Sequence, residues 1–416
     1  MSIAYADLET VLRFRDERTE AQRLLLDQYR SPLVSFTMNI AGPVKRSGLI
    51  DFAFDEGMKM LKALIGEPVC ARTFCGAAGC GAVMAFDRSA AELKEMCVSI
   101  EDRGDIGRLY DLDVIGVDGE KLSRCEGRRC LICGGPAAVC ARSRAHDLKE
   151  IQDKTNSILT EFAANTLADK AVAALIDEVS LTPKPGLVDR ADSGAHLDMD
   201  WPLMVKSAKS LRPYFLRAAQ LGTEAVADMP QKLQEAGIAA ERTMLAATNN
   251  VNTHKGAIYS IGLLCAAKAK ELDACGEQVC MSAASIAKRL SVPNSHSHGD
   301  SVRRLFPKAG PREEAYGGFP NVRMALDMLL SGRTGEEALL KLMNVMDDSN
   351  VLWRGGEQGL EFIKKESAKI LNAPDEERRA MLLEFNDECI RRRLSPGGAA
   401  DILAAALFLQ SVETGS

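Results

Sequence analysis

Near residue 151 the hydrophobic period of this chain changes, and that change commits it to two different cores. Before it, apolar residues alternate in short period-two runs between turn-forming clusters. After it, they recur at helical spacing almost to the end. A half-buried sheet needs the first pattern and a helix assembly the second, so the chain reads as multidomain. The length agrees: 416 residues exceed what one core usually organises. We expect an N-terminal α+β domain over 1–150 with a mixed or antiparallel sheet, and an all-α domain over 151–416.

In the C-terminal half, helices are expected over 156–179, 203–221, 230–246, 256–271, 279–289, 320–331, 335–347, 357–371, 376–392 and 398–412. The loops between them hold the polar clusters. The first, LTPKPGLVDRADSGAHLDMD at 181–200, packs two prolines, two glycines, His196 and four aspartates, so no regular element runs through it. Just before it, Glu178 falls on the same helical stripe as Leu167, Ala171 and Leu175. A buried carboxylate needs a cation, a metal or a raised pKa. With Asp189, Asp192, Asp198 and Asp200 nearby, a Mg²⁺ or polyphosphate site fits, because hard cations take carboxylate oxygens. A solvated acidic turn, with Glu178 paired to a lysine, fits the same spacing.

Three further loops carry polar residues. ATNNVNTHKGAIYSIG sets Asn249, Asn252, His254 and Lys255 before an apolar helix, where His254 and Lys255 could bind a phosphate or protonate a leaving group; an asparagine-rich cap gives the same pattern. SHSHGD contains His296, His298 and Asp300, a metal pattern that is more often solvated. DDSN, with Asp347 and Asp348, precedes Arg354 and is either a second carboxylate pair or a helix end and turn. Finally, SPGGAADILAAALF opens a helix with Ser395 as N-cap and Pro396 at its first position, and places Asp401 inside an alanine and leucine run.

The N-terminal half begins with one amphipathic helix to about Arg30, then the period-two strand LVSFTMNI. The loop AGPVKRSG follows, with Lys45 and Arg46, and opens a helix from Leu49 to about Ile65, a natural phosphate cradle. Short strands are expected at 69–74, at 82–86 and at Met96, Val98 and Ile100. GDIGRLYDLDVIG then gives a strand whose Asp111 and Asp113 share a face, about 7 Å apart at Cα, able to close on one or two Mg²⁺. A strand, a basic loop opening a helix and a later Asp-x-Asp strand is the layout of nucleotidyltransferase sites; a strand-end turn is the plainer reading. The segment CEGRRCLICGGPAAVCARSRAH holds Cys125, Cys130, Cys133 and Cys140. Cys130 and Cys133 make one C-x₂-C pair, but no second pair follows at zinc-site spacing, so a reduced, partly buried thiol cluster is expected. Arg124, Arg128, Arg129, Arg142, Arg144 and His146 surround it, as forks for phosphate oxygens or as a solvated basic surface.

Charge and composition exclude other classes. The net charge is −6, no Lys/Arg run exceeds three residues and aromatics are 5%, which argues against nucleic acid and a polybasic membrane patch. The opening MSIAYADLETVLRFRDERTE has no apolar signal core, and no apolar run of about 18 residues occurs, so a cytoplasmic chain with reduced cysteines is expected.

Two sets of strings carry a family resemblance. FTMNIAGPVK, GRLYDLDV and RRCLICGGPAAVCARSRAH resemble apo-citrate lyase phosphoribosyl-dephospho-CoA transferase, the holo-acyl-carrier-protein synthase of citrate lyase. LTPKPGLVDRADSGAHLDM, TNNVNTHKGAIYSIG, DDSNVLWRGG and SPGGAADILA resemble triphosphoribosyl-dephospho-CoA synthase. The resemblance implies a bifunctional transferase that makes and attaches the citrate lyase prosthetic group. ATP and 3′-dephospho-CoA would give triphosphoribosyl-dephospho-CoA and adenine in the helical half. The N-terminal half would then transfer phosphoribosyl-dephospho-CoA to a serine of the apo acyl carrier subunit, releasing pyrophosphate. Mg²⁺ is the implied cofactor, and a homo-oligomer is compatible. On this reading Glu178 or Asp189 serves as catalytic carboxylate, with Glu178, Asp189, Asp347 and Asp348 as metal ligands. Lys184, His196, Asn249, Asn252, His254, Lys255, Arg354 and Asp401 contact the substrates. In the other half Asp111 and Asp113 hold metal and catalyse, with Lys45, Arg46, Arg108, Arg142 and Arg144 on phosphates. Two rivals stay open: a Mg²⁺-dependent nucleotide-sugar hydrolase fused to a nucleotidyltransferase, and a non-catalytic metal-binding regulator with a helical interaction domain.

Overall fold

The computed structural model describes residues 5–224, 226–291 and 310–413, so His296, His298 and Asp300 lie outside the described residues. The chain divides into two compact units at Ala163/Ala164, within one long helix.

The first unit runs α1 (Leu8–Tyr29), β1 (Leu33–Met38), α2 (Gly48–Ile65), β2 (Cys70–Gly76), β3 (Gly79–Ala85), α3 (Ala90–Glu101), α4 (Gly104–Gly107), β4 (Tyr110–Ile115), β5 (Lys121–Leu122) and α5 (Ala137–Ser143). The five strands form a wholly antiparallel sheet in the order β2-β3-β1-β4-β5. Alternation along the strands separates two apolar faces. Val34, Phe36, Met84, Tyr110, Leu112 and Val114 pack against α2 and α3, with Ile158 and Leu159 of the long helix. Leu33, Val83, Ala85 and Ile115 pack against Ala21 and Leu25 of α1.

Two expectations for this unit are corrected. Residues 96–100 belong to helix α3, whose start is fixed by a capping box between Ser89 and Glu92. Leu93, Cys97 and Ile100 form its buried stripe, a helical spacing that overrides the apparent alternation of Met96, Val98 and Ile100. The cysteines are not all reduced: Cys75 and Cys80 stand opposite each other in the β2–β3 ladder, with Cα atoms 4.3 Å apart, and are bridged.

The second unit is helical. It takes the end of α6 (Leu148–Ser180), then α7 (Trp201–Ser210), α8 (Arg212–Glu224), α9 (Met229–Ala247), α10 (Lys255–Lys270), α11 (Gly276–Ala287), α12 (Pro311–Tyr316), α13 (Pro320–Leu330), α14 (Gly335–Val345), α15 (Ser349–Leu371), α16 (Asp375–Arg392) and α17 (Gly397–Glu413). The single helix expected over 203–221 is two, because Pro213 has no amide to continue the ladder past Leu211. The helix expected from 357 begins at Ser349 instead, capped by Asp348 and kinked at Gly356. α8 crosses α10 so closely that a Cβ at Gly262 would overlap the ring of Tyr214, whose hydroxyl donates to the Ile258 carbonyl at 3.1 Å. α10 and α17 are largely buried, and Lys255, Tyr259 and Ser260 of the first and Asp401 of the second line the cavity of this unit. No helix among the described residues is long and apolar enough to cross a membrane.

Candidate active sites

A cavity of about 1150 Å³ opens in the helical unit. Glu178, Lys184, His196, His254, Asp348, Arg354 and Asp401 all reach its wall, brought together from α6, the 181–200 loop, α10, α15 and α17.

On its wall the Lys184 ammonium donates to Glu178 Oε1 at 2.6 Å, and both side chains are almost completely buried. Burial raises the Glu178 pKa, and the adjacent ammonium opposes that rise. Asp401 is pushed well above the usual carboxylate range by burial first, then by the negative charges of Glu178 and Asp348; the Ala257 amide works against this. Gly256, in the first turn of α10, has no side chain because a Cβ there would overlap the Asp401 carboxylate. Asp348 is also buried, which raises its pKa. It accepts from the amides of Asn350 at 2.8 Å, Val351 at 3.2 Å and Ala399 at 2.9 Å, and so ties together the starts of α15 and α17. Three carboxylates thus influence one another with one buried ammonium among them.

The histidines are neutral. Burial, and secondarily the Lys184 charge, lowers the His254 pKa to about 3. Its Nδ1 meets Ser207 Oγ at 2.8 Å, and its Nε2 is buried without a hydrogen-bond partner. His254 therefore meets any ligand of the cavity as a neutral imidazole at neutral pH. Burial and the Arg354 guanidinium lower His196 to about 4. Since a guanidinium only donates, His196 Nδ1 accepts from Arg354 at 3.4 Å, and Nε2 donates to Ser395 Oγ at 2.8 Å. Ser395, expected as a helix cap, is thus a partner of the histidine.

Several predicted residues take other roles. Asp189 does not line the cavity; both of its oxygens accept backbone amides, from Lys184 at 2.9 Å, Ala191 at 2.6 Å and Asp192 at 3.1 Å. It braces the loop, which corrects its reading as a catalytic carboxylate and metal ligand. Asp192 accepts from Gly194 and Asn386, and Asp200 caps α7, leaving Asp198 as the loop aspartate on the cavity wall. Asn249 holds a left-handed turn with φ 54° and does not reach the cavity, whereas Asn252 does. Lys255 pairs with Glu241 at 3.0 Å, and Asp347, exposed, with Lys364 at 2.6 Å; both Lys255 and Asp347 still line the cavity. Sequence reasoning missed Ser207 and Glu314. Ser207 is buried on an apolar helix face, and Glu314 is a buried cavity-wall residue that accepts both Asn321 nitrogens at 2.7 Å. A polar residue on an apolar stripe, the signal that found Glu178, would have found Ser207.

In the first unit Asp111 and Asp113 share a face of β4, opposite Thr37 and Ser35 of β1. This is the face that α1 covers farther along, and both carboxylates stay partly exposed. Lys121 pairs with Asp113 at 2.5 Å, and Arg128 reaches Asp111 at 3.5 Å. Arg128 also pairs with Glu101, a buried acid raised by desolvation and held by the Leu112 amide at 2.9 Å. Lys121 and Glu101 were absent from the expected site, and Arg128 was expected only as one of the arginine forks around the cysteines. The basic loop behaves differently from a preset phosphate cradle: Lys45 donates to the Ile40 carbonyl, and Arg46 forks onto Asp51 at 2.8 and 3.1 Å. Arg108 donates to the carbonyls of Arg129 and Cys130, while Arg142 and Arg144 are exposed at the end of α5.

Comparison with known proteins gives matching results for the two units. A family model described as ATP:dephospho-CoA triphosphoribosyl transferase (CitG) matches residues 164–416, and one described as apo-citrate lyase phosphoribosyl-dephospho-CoA transferase (CitX) matches residues 6–162. The chain is 33% identical to Protein CitXG of Haemophilus influenzae, an alignment covering 97% of this chain and 96% of that protein. It is 36% identical to the 2-(5''-triphosphoribosyl)-3'-dephosphocoenzyme-A synthase of Haemophilus ducreyi, over 68% of this chain and 99% of that one.

Proposed function

The chain belongs to the family of fused CitX and CitG proteins, and from that premise we propose which residues perform each reaction. The C-terminal half is the triphosphoribosyl-dephospho-CoA synthase and the N-terminal half the apo-citrate lyase phosphoribosyl-dephospho-CoA transferase, so the protein is a bifunctional transferase that builds and attaches the citrate lyase prosthetic group.

In the helical half the ribose C1–adenine bond of ATP breaks and a bond from C1 to the 2′-oxygen of dephospho-CoA forms. The attacking hydroxyl must lose a proton as positive charge develops on the sugar. Glu178 takes that proton. Its carboxylate lines the cavity, and Lys184 fixes its orientation. Asp401, held against the start of α10 beside Glu178, offers a carboxyl group on the cavity wall that hydrogen-bonds the reacting ribose. His254 Nε2, buried and unpartnered on the cavity wall, hydrogen-bonds the nucleotide as a neutral imidazole. Arg354 and Asn252 meet the substrates at the rim.

Glu178, Asp347, Asp348 and Asp401 line the cavity, and their carboxylate oxygens are of the hard type that Mg²⁺ takes. Bound there, the ion would neutralise triphosphate oxygens. In the first unit Asp111 and Asp113 likewise fit it, two carboxylates on one strand face. There the carrier serine oxygen bonds to the phosphorus next to the ribose while the bond to pyrophosphate breaks. Arg128 and Lys121, already beside the two aspartates, hold phosphate oxygens as they become available. The Asp-x-Asp strand and the loop opening α2 support a nucleotidyltransferase-like reading of this unit. ATP and dephospho-CoA as substrates, and the apo acyl carrier subunit as partner, support a cytoplasmic setting.

The observation that carries the helical-half assignment is the buried Glu178–Lys184 pair on the cavity wall. Adenine release by Glu178→Gln tests it: a fall of about a hundredfold or more is expected. A rate within a few-fold of the parent removes Glu178 from the role.

A further inference from the structure

The segment 125–146 carries cysteines that neither reaction uses. Three of them meet a histidine: the ligand atoms of Cys130, Cys133, Cys140 and His146 all lie within 4.8 Å of one another, and Cys133 Sγ is 3.5 Å from Cys140 Sγ. Around a tetrahedral zinc ion with bonds of about 2.3 Å to sulfur and 2.0 Å to nitrogen, ligand atoms stand roughly 3.5–3.8 Å apart. One ion can therefore touch all four. We propose that Cys130, Cys133, Cys140 and His146 form a structural zinc site in the N-terminal half.

The backbone is arranged for it. Cys130 and Cys133 flank a turn closed by the Gly134 amide on the Cys130 carbonyl at 3.0 Å. The amides of Ile132 and Cys133 donate to Cys130 Sγ, and that of Gly135 to Cys133 Sγ, so the turn points backbone donors at both sulfurs. Cys140 comes from α5, and His146 follows the left-handed cap of that helix at Arg144. The histidine is set to ligate. Its Nε2 is buried with no hydrogen-bond partner, while Nδ1 lies 3.6 Å from the Glu150 carboxylate. A carboxylate on the far nitrogen orients a metal-bound imidazole and increases its basicity. On binding, three thiols release their protons to solvent and the imidazole binds neutral, so Zn²⁺ with three thiolates carries one net negative charge and nothing is oxidised or reduced. Four protein ligands close the coordination sphere, which is the structural and not the hydrolytic form.

In the proposed site the fourth ligand is not a cysteine: C-x₂-C is completed by C-x₅-H, a spacing that a search for a second cysteine pair passes over. The site has a consequence for the carrier reaction. Arg128 lies two residues before the first ligand, the Ala137 amide donates to its carbonyl at 2.9 Å, and Arg108 clamps the carbonyls of Arg129 and Cys130. Zinc would thus fix the segment that holds Arg128 against Asp111.

The test uses the full chain purified under reducing conditions. Metal analysis should find about one zinc per chain after dialysis. Cys133→Ser and His146→Ala should each cut this to a small fraction, and the exposed Cys125→Ser should retain it. Cobalt exchanged into the unsubstituted protein should give the absorption of a tetrahedral thiolate complex, a readout independent of how the variants fold. Removing zinc with a chelator should slow carrier labelling at least tenfold while leaving adenine release unchanged, which also shows the helical half folded. Protein without zinc that takes up no cobalt, full zinc in Cys133→Ser, or a Cys133–Cys140 disulfide in its place would overturn the proposal.

Discussion

The residue that carries most of the helical site is Lys184, because it is the one ammonium shown beside the buried Glu178. Removing one partner of a buried pair leaves an uncompensated charge, which costs about 3–5 kcal/mol. Lys184→Met should lower the unfolding free energy of the helical half by roughly that amount in urea titration followed by its helical signal; a loss below about 1 kcal/mol would show that the pair is solvated. His254 gives a pH test. Folded, its pKa is about 3, below the 6.5 of an open imidazole, so the unfolded chain binds the extra proton between those values. Its contribution is therefore complete above pH 6.5 and is lost as pH falls toward 3. Between pH 7 and pH 5 that loss is about 2 kcal/mol. The raised carboxylates Glu178 and Asp401 act with the opposite sign, but they are common to parent and His254→Asn. The variant should thus lose about 2 kcal/mol less than the parent on acidification, and equal losses would mean that the imidazole is already charged or exposed. Glu178 was legible because a carboxylate on an apolar stripe violates the pattern. Asp189 was misread because spacing does not tell a carboxylate facing a cavity from one facing its own loop amides.

At the level of elements, the approach of α10 to α17 builds the site. Gly256 lets the first turn of α10 lie against the Asp401 carboxylate, which accepts from the Ala257 amide. Gly256→Ala would push that carboxylate away, and we expect adenine release to fall at least tenfold with the far-ultraviolet dichroism unchanged. Unaltered release would show that Asp401 can move without consequence. Helical periodicity announced most of these helices. It missed the break at Leu211, although Pro213 was in view, and it missed the start at Ser349, because a capping aspartate looks like one half of a carboxylate pair. It also took Met96, Val98 and Ile100 for a strand, since three alternating positions fit either period until the capping box at Ser89 is weighed. The close crossing of α8 and α10 was not legible at all, because small residues leave no periodic mark.

For the whole molecule, fusing the two activities raises the local concentration of an intermediate that one half makes and the other consumes. The change of hydrophobic period separated the halves, and the family strings named both reactions. The partners of Asp111 and Asp113 were invisible, because Lys121 and Arg128 come from later segments whose return to β4 only the fold shows. The account's central claim is that each half carries its own chemistry on the residues named. Asp111→Asn and Glu178→Gln, each incubated with ATP, dephospho-CoA, Mg²⁺ and apo carrier, test it when adenine and carrier mass are followed together. The account predicts that Asp111→Asn releases adenine at close to the parent rate and leaves the carrier unmodified, while Glu178→Gln releases almost none yet still modifies carrier when given preformed triphosphoribosyl-dephospho-CoA. If Asp111→Asn labels carrier normally or stops releasing adenine, or Glu178→Gln leaves the carrier unmodified even with preformed triphosphoribosyl-dephospho-CoA, the account is contradicted.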